Sequence, residues 1–113
     1  MVDRQLQVYA FFDGRLRERT KALITDELIA EHAASPTGRH SDALERVLSF
    51  FRRQPLQGKY IIVAVKPWQE YRIGVLSGAR GTPAKVLHDE VYATEEEALH
   101  GIFTRRVREL MAS

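Results

Sequence analysis

Lys59-Tyr60-Ile61-Ile62-Val63-Ala64-Val65-Lys66 is followed by Tyr71-Arg72-Ile73-Gly74-Val75-Leu76-Ser77, then by Lys85-Val86-Leu87-His88-Asp89-Glu90-Val91-Tyr92-Ala93. The first run is rich in β-branched residues and the other two alternate, which is the pattern of three short strands. Thr94-Glu95-Glu96-Glu97 then opens a helix: a threonine at the N-cap and a glutamate three residues on form a capping box. Leu99, Ile102, Phe103, Val107 and Leu110 fall three and four apart behind it, an apolar stripe on one helical face. Glu95 and Glu96 suit the positive end of the helix dipole, and Arg105, Arg106 and Arg108 lie towards its negative end. One helix covers only one face of so small a sheet. The other face needs the first half of the chain or another protein.

Upstream, residues 4–33 read as helical, with Tyr9, Phe12, Leu16 and Leu23 near one face. Ile24, Leu28 and Ile29 continue the apolar content on a drifting face, which places a change of direction near Thr25-Asp26. Gly14 weakens the helix interior by about 1 kcal/mol relative to alanine. Ser35-Pro36-Thr37-Gly38 is a stop. A second helical segment runs from a Ser41 or Asp42 cap to about Arg53, with Leu44, Val47, Leu48 and Phe51 inward and Phe50 beside them. Pro67-Trp68-Gln69-Glu70 reads as a hairpin loop and residues 78–83 as a longer connection. The expectation is one α+β domain over residues 1–113. Its helical half, 1–57, holds two N-terminal helical segments, and residues 58–113 form a three-stranded antiparallel sheet plus a C-terminal amphipathic helix.

The absence of cysteine among 113 residues excludes disulfides, thiolate metal sites and thiol nucleophiles together. No apolar run is long enough to cross a bilayer and the N-terminus lacks a signal-peptide core, so a cytoplasmic protein without membrane contact is expected. The formal charge of +2 is mildly basic, but acids and bases are interspersed through both halves. That favours an ordinary solvated surface over nucleic-acid binding, whose proteins cluster their charge. The alternative would bring Arg52, Arg53, Lys59, Arg72, Arg80, Lys85, Arg105 and Arg106 onto one surface with Tyr60 and Tyr71 as stacking platforms.

Candidate chemistry is sparse. His32 and His40 flank the Ser-Pro-Thr-Gly turn and could converge on a metal, an anion or a substrate proton, yet their separation is not a metal signature. Loop capping and hydrogen bonding are the simpler assignment for this polar pair. Glu97-x-x-His100 is a single copy of a motif that di-iron helix bundles use in pairs, and Glu97 already serves the cap. The Gly78–Pro83 loop lacks phosphate-loop spacing and leads into a strand rather than a helix. Trp68, the lone tryptophan, sits at a hairpin tip, where a rigid aromatic either anchors a partner or folds back over the sheet edge. No catalytic residues and no metal ligands are assigned.

Several segments together resemble the small (alpha) subunit of N,N-dimethylformamidase, or a stand-alone relative of it. They are Tyr9-Ala10-Phe11-Phe12-Asp13, Glu31-His32-Ala33 with Gly38 and His40, Arg46-Val47, and Phe50-Phe51-Arg52. Gly58-Lys59-Tyr60, Tyr71-Arg72-Ile73, Thr94-Glu95-Glu96-Glu97-Ala98, His100, Phe103 and Arg105-Arg106 complete them. On this resemblance the sequence is expected to start later than that subunit, lacking part of its N-terminal extension. The resemblance implies assembly with a much larger subunit, the two together hydrolysing the formamide to formate and dimethylamine. It also implies that the mononuclear iron, with tyrosine and glutamate ligands, lies on that larger subunit, so no cofactor is expected here.

From these readings we expect a non-catalytic accessory subunit or interaction module of an amidohydrolase complex. Its partner would be a larger catalytic subunit, or copies of itself in a homo-oligomer. Phe11, Phe50, Trp68 and Arg106 are the expected interface residues, because aromatics and arginine dominate interface energetics.

Overall fold

A computed structural model describes residues 4–55 and 58–113, with side chains from residue 12 onward. The chain forms α1 (Arg4–Leu23), α2 (Asp26–Ala34), α3 (Asp42–Arg52), β1 (Tyr60–Lys66), β2 (Glu70–Val75), β3 (Lys85–Val86) and α4 (Glu95–Ala112). This is the expected α+β architecture. The first helical segment is divided where its apolar face drifts. Thr25 is extended at φ −134° and its side chain accepts from the Leu28 amide at 3.1 Å, so it ends one helix and caps the next.

α2 ends at Ser35 because Pro36 disfavours helical geometry in the residue before it. Ser41 caps α3 through the Leu44 amide at 3.3 Å, and Asp42 and Glu45 follow in the first turn. Leu44, Val47, Phe50 and Phe51 form the buried face of α3. They join Leu28 of α2 and Phe103, Val107 and Leu110 of α4 in one core, with Leu16 and Leu23 of α1 against it. Phe12, expected on the same stripe as Leu16, is 62% exposed. α1 at 20 residues is roughly 30 Å long and α3 at 11 residues roughly 16 Å, so α1 outruns the helix it packs on.

The sheet has order β1-β2-β3, antiparallel throughout. The register pairs Tyr60 with Val75, Ile62 with Ile73 and Ala64 with Tyr71, so these residues share a face. Tyr71 and Ile73 on that face are 5% and 1% exposed, and α4 is the helix that touches β1 and β2. The opposite face carries Ile61, Val63, Arg72 and Val86 around Gly74, and none of these four side chains is fully buried. A side chain at Gly74 would meet Val63 Cγ2 at 2.9 Å and Ile61 Cγ1 at 3.2 Å, so the glycine lets both residues lie across β2.

The third strand is shorter than its alternation predicts. β3 covers only Lys85–Val86, and pairing resumes at a lone bridge between Tyr71 and Tyr92. From Gly74 to Tyr71 the central strand advances three positions, while from Val86 to Tyr92 its neighbour advances six. Three residues are therefore looped out. The loop delivers Asp89 Oδ2 to Arg105 Nη2 at 2.5 Å and Glu90 Oε2 to the same nitrogen at 3.9 Å. A charge pair with α4 replaces the middle of the ladder.

α4 joins the two halves, touching α1 and α2 on one side and β1 and β2 on the other. Thr94 accepts from the Glu97 amide at 3.1 Å, while Glu97 Oε2 accepts from the Ala93 amide at 3.2 Å, a capping box shifted by one residue. Ala98 is fully buried, so the inward stripe is wider than Leu99, Ile102, Phe103, Val107 and Leu110 alone. Among the described residues no helix is long and apolar enough to cross a membrane.

Candidate functional site

Three of the four histidines meet where α2, the 35–41 loop and α4 come together. His32 is one helical turn beyond Leu28 on the buried face of α2 and is only 2% exposed. Its ring lies on Phe103 at a centroid distance of 4.1 Å and an interplanar angle of 11°, with His100 at 5.1 Å and His40 at 6.0 Å. His32 Nδ1 and His100 Nδ1 are 2.9 Å apart, so one ring donates and the other accepts, and the two hold opposite tautomers. Burial pushes the His32 pKa down to about 4, helped by the charges of His100 and His40. Burial lowers the His100 pKa as well. At neutral pH the pair is uncharged.

His40 closes the loop between α2 and α3. Its Nε2 reaches the Ser35 carbonyl at 2.7 Å and its Nδ1 the Glu45 carboxylate at 3.2 Å. Glu31 adds a second clamp, accepting from the Ser41 amide at 2.6 Å and the Ser41 hydroxyl at 2.7 Å. These bonds, the amide first, hold the Glu31 carboxyl below its usual pKa. The turn is thus fixed by side chains on both flanks.

Beside the histidines is an open cleft of about 400 Å³. Its floor includes Leu48, Phe51, Ile102 and Phe103, and its rim carries Arg52, Lys59 and Arg106. The Arg106 guanidinium lies 5.5 Å from the Tyr60 ring centroid and 5.8 Å from that of Phe51, within cation–π range. Burial lowers its pKa, opposed by the charge of Glu109. The Tyr60 hydroxyl donates to that same Glu109, and burial followed by this bond raises the Tyr60 pKa.

The arginines do not share one arrangement. Arg72 pairs with Glu70 at 3.3 Å, and Arg105 is taken by Asp89 and Glu90. Tyr71 is buried, its hydroxyl accepting from the Trp68 amide at 3.1 Å. Only Arg52, Lys59 and Arg106 of the basic residues named from sequence meet in the cleft.

Of the four expected interface residues, Trp68 is 89% exposed and Arg106 half-buried at the cleft. Phe50 is 3% exposed in the core between the helices, so it offers no surface to a partner. Its phase on α3 puts it inside together with Phe51. The side chain of Phe11 lies outside the described residues.

His100 is the site residue that spacing motifs missed, because Glu97-x-x-His100 directs attention to metals. Helical phase was the available signal: His100 lies three residues before Phe103, and His32 four after Leu28. Nitrogens of these histidines already face other partners. His32 and His100 share one hydrogen bond, both nitrogens of His40 face oxygen acceptors, and the rings stack rather than converge. Among the described residues no group of three or more histidine, aspartate or glutamate side chains is placed to hold a metal ion.

Comparison with known proteins agrees with the resemblance seen in the segments. The chain is 41% identical over 115 residues to an N,N-dimethylformamidase alpha subunit from Alcaligenes sp., covering 97% of this chain and 86% of the relative. It is 38% identical over 113 residues to the N,N-dimethylformamidase alpha subunit of Paracoccus aminophilus, covering 96% and 79%. The family described as N,N-dimethylformamidase alpha subunit matches residues 7–113. With nearly the whole of this chain matched in each comparison, it belongs to the N,N-dimethylformamidase alpha subunit family.

Proposed function

We propose that this chain is the non-catalytic small subunit of an N,N-dimethylformamidase-type amidohydrolase complex, with the reaction and its iron on a larger partner. Its role is to bury apolar surface and fix the geometry of that partner. The observation that carries this reading is Trp68. It is 89% exposed at the hairpin tip and held at φ 68°, a left-handed conformation that costs a bulky residue about 1–2 kcal/mol. Beyond the bond from its amide to Tyr71, an indole this exposed buries little apolar surface in the isolated chain, whereas at an interface it is a rigid anchor. The half-covered sheet face with Ile61, Val63 and Val86 gives further apolar area for the same partner.

The test is co-expression of the tagged chain with the large subunit of an N,N-dimethylformamidase, followed by native mass and amide hydrolysis of each part and of the complex. A stable complex that hydrolyses the amide, beside an inactive isolated chain, is the expected outcome. Hydrolysis by the isolated chain, or failure to assemble, would overturn the reading. The nucleic-acid alternative has less support, because Tyr71 is buried and Arg72 and Arg105 are paired with acids.

A further inference from the structure

We infer that the cleft beside His32 binds a small organic carboxylate with an apolar body, through Arg106 with Lys59 and Arg52 at the rim. Three observations converge on this ligand class. The cleft wall includes three permanent cations and no aspartate or glutamate, so its field is uncompensated from within. Arg106 is half-buried, stacked between Phe51 and Tyr60, and no carboxylate is within ion-pair distance of it among the described residues; Glu109 acts on it only through space. A desolvated cation without a close counter-ion is costly, and an anion that reaches it recovers that cost.

The shape of the site selects among anions. A guanidinium presents parallel N–H donors that match a carboxylate. Beside it Leu48, Phe51, Ile102 and Phe103 give the cleft an apolar wall, which suits an anion with an apolar body better than a fully hydrated ion such as inorganic phosphate. The volume of about 400 Å³ lies in the range of small-molecule sites and is too large for a bare ion. Lys59 is held towards the rim by donating to the Arg52 carbonyl at 3.1 Å. Its charge therefore lies beside that of Arg106, and the two add in attracting an anion to the cleft.

Carboxylate binding by the isolated chain does not rest on the accessory-subunit reading; only the comparison with the assembled complex does. The carboxylate can come from a free metabolite-sized molecule or from an acidic residue of a bound subunit, and titrations of the full chain and of the assembled complex separate the two. Calorimetric titration of the full chain compares 3-phenylpropionate, its neutral amide 3-phenylpropanamide, and inorganic phosphate. A charge-assisted pair is worth about ten- to a hundredfold in affinity, so the carboxylate should bind at least tenfold tighter than the amide or phosphate. Arg106→Gln should bring it to the level of the amide. Because Arg106 packs on Phe51, Lys59→Gln is a second variant that leaves the core untouched, and it should weaken the carboxylate alone by a few-fold. Equal affinity for acid and amide, phosphate binding as tight as the acid, or no binding at all would overturn the inference. Binding retained in the assembled complex identifies a free carboxylate as the ligand. Binding seen in the chain and lost in the complex identifies the subunit's own carboxylate and overturns the small-molecule assignment.

Discussion

His32 Nδ1 of α2 and His100 Nδ1 of α4 share a hydrogen bond of 2.9 Å, although 68 residues separate them in the chain. The bond ties the helical half to the helix that carries the sheet, and it exists only while the accepting nitrogen is unprotonated. The His32 pKa falls from 6.5 to about 4 on folding, so between those values the unfolded chain binds the proton that the folded chain refuses. Stability from this group is complete above pH 6.5 and is lost as pH falls towards 4. Thermal melts should show the midpoint falling over this window. His32→Phe, which keeps the stack on Phe103 and cannot titrate, should flatten it; an unchanged pH profile in that variant would refute the assignment.

Gly101 is the contact point between α4 and Tyr92. A Cβ at this position would collide with the tyrosine ring. Alanine normally gains up to about 1 kcal/mol over glycine inside a helix, but here Gly101→Ala should destabilise the fold by roughly 1 kcal/mol through overpacking. In a Tyr92→Ala background the same substitution should become stabilising. Urea unfolding of the four proteins decides the matter, and the same sign in both backgrounds would show that the ring does not constrain the glycine.

Phe50 and Trp68 should behave as opposites. Phe50 is buried among Leu44, Val47 and Phe51, so Phe50→Ala should cost about 3–5 kcal/mol of stability. Trp68 is exposed in a left-handed conformation, so Trp68→Gly should leave the isolated chain as stable or up to about 1 kcal/mol more stable. Its association with the large subunit should weaken by about 2 kcal/mol or more. Denaturation combined with a binding titration reads both effects. Loss of stability without loss of binding would remove Trp68 from the interface.

Tyr92 donates its hydroxyl to Glu90, and burial first, then that bond, raises its pKa from 10.0 to about 12. Between these values the folded chain keeps a proton that the unfolded chain releases, so this stabilisation is present below pH 10 and lost as pH rises towards 12. Spectrophotometric titration should find Tyr92 ionising late, and Tyr92→Phe should remove that component and lessen the alkaline loss of stability. An ordinary tyrosine titration curve in the folded chain would contradict the Glu90 contact.

Local chemistry made much of this fold legible. Thr25, Ser41 and Thr94 cap helices where short polar side chains precede apolar periodicity, and Pro36 stops α2. The alternation of Tyr71, Ile73 and Val75 marks a two-faced strand, and the structure shows α4 against the face of Tyr71 and Ile73. The third strand is shorter than its alternation predicts for a nonlocal reason: Lys85–Ala93 alternates, but Asp89 and Glu90 leave the ladder to meet Arg105 of α4. Phe50 is expected at an interface as an aromatic residue, and its helical phase instead turns it inward together with Phe51.

Sequence alone determined the element types, the caps, the antiparallel hairpin and the family, because each depends on neighbours within a few positions or on residues preserved in order. Tertiary structure decided which side chains meet. His32 finds His100, and Arg106 joins Lys59 and Arg52 while Arg72 and Arg105 go to nearby acids. Those pairings depend on how α4 lies between the helices and the sheet. Periodicity states that a face is buried, but the partner is chosen by packing across tens of residues, and only the folded chain contains that distance.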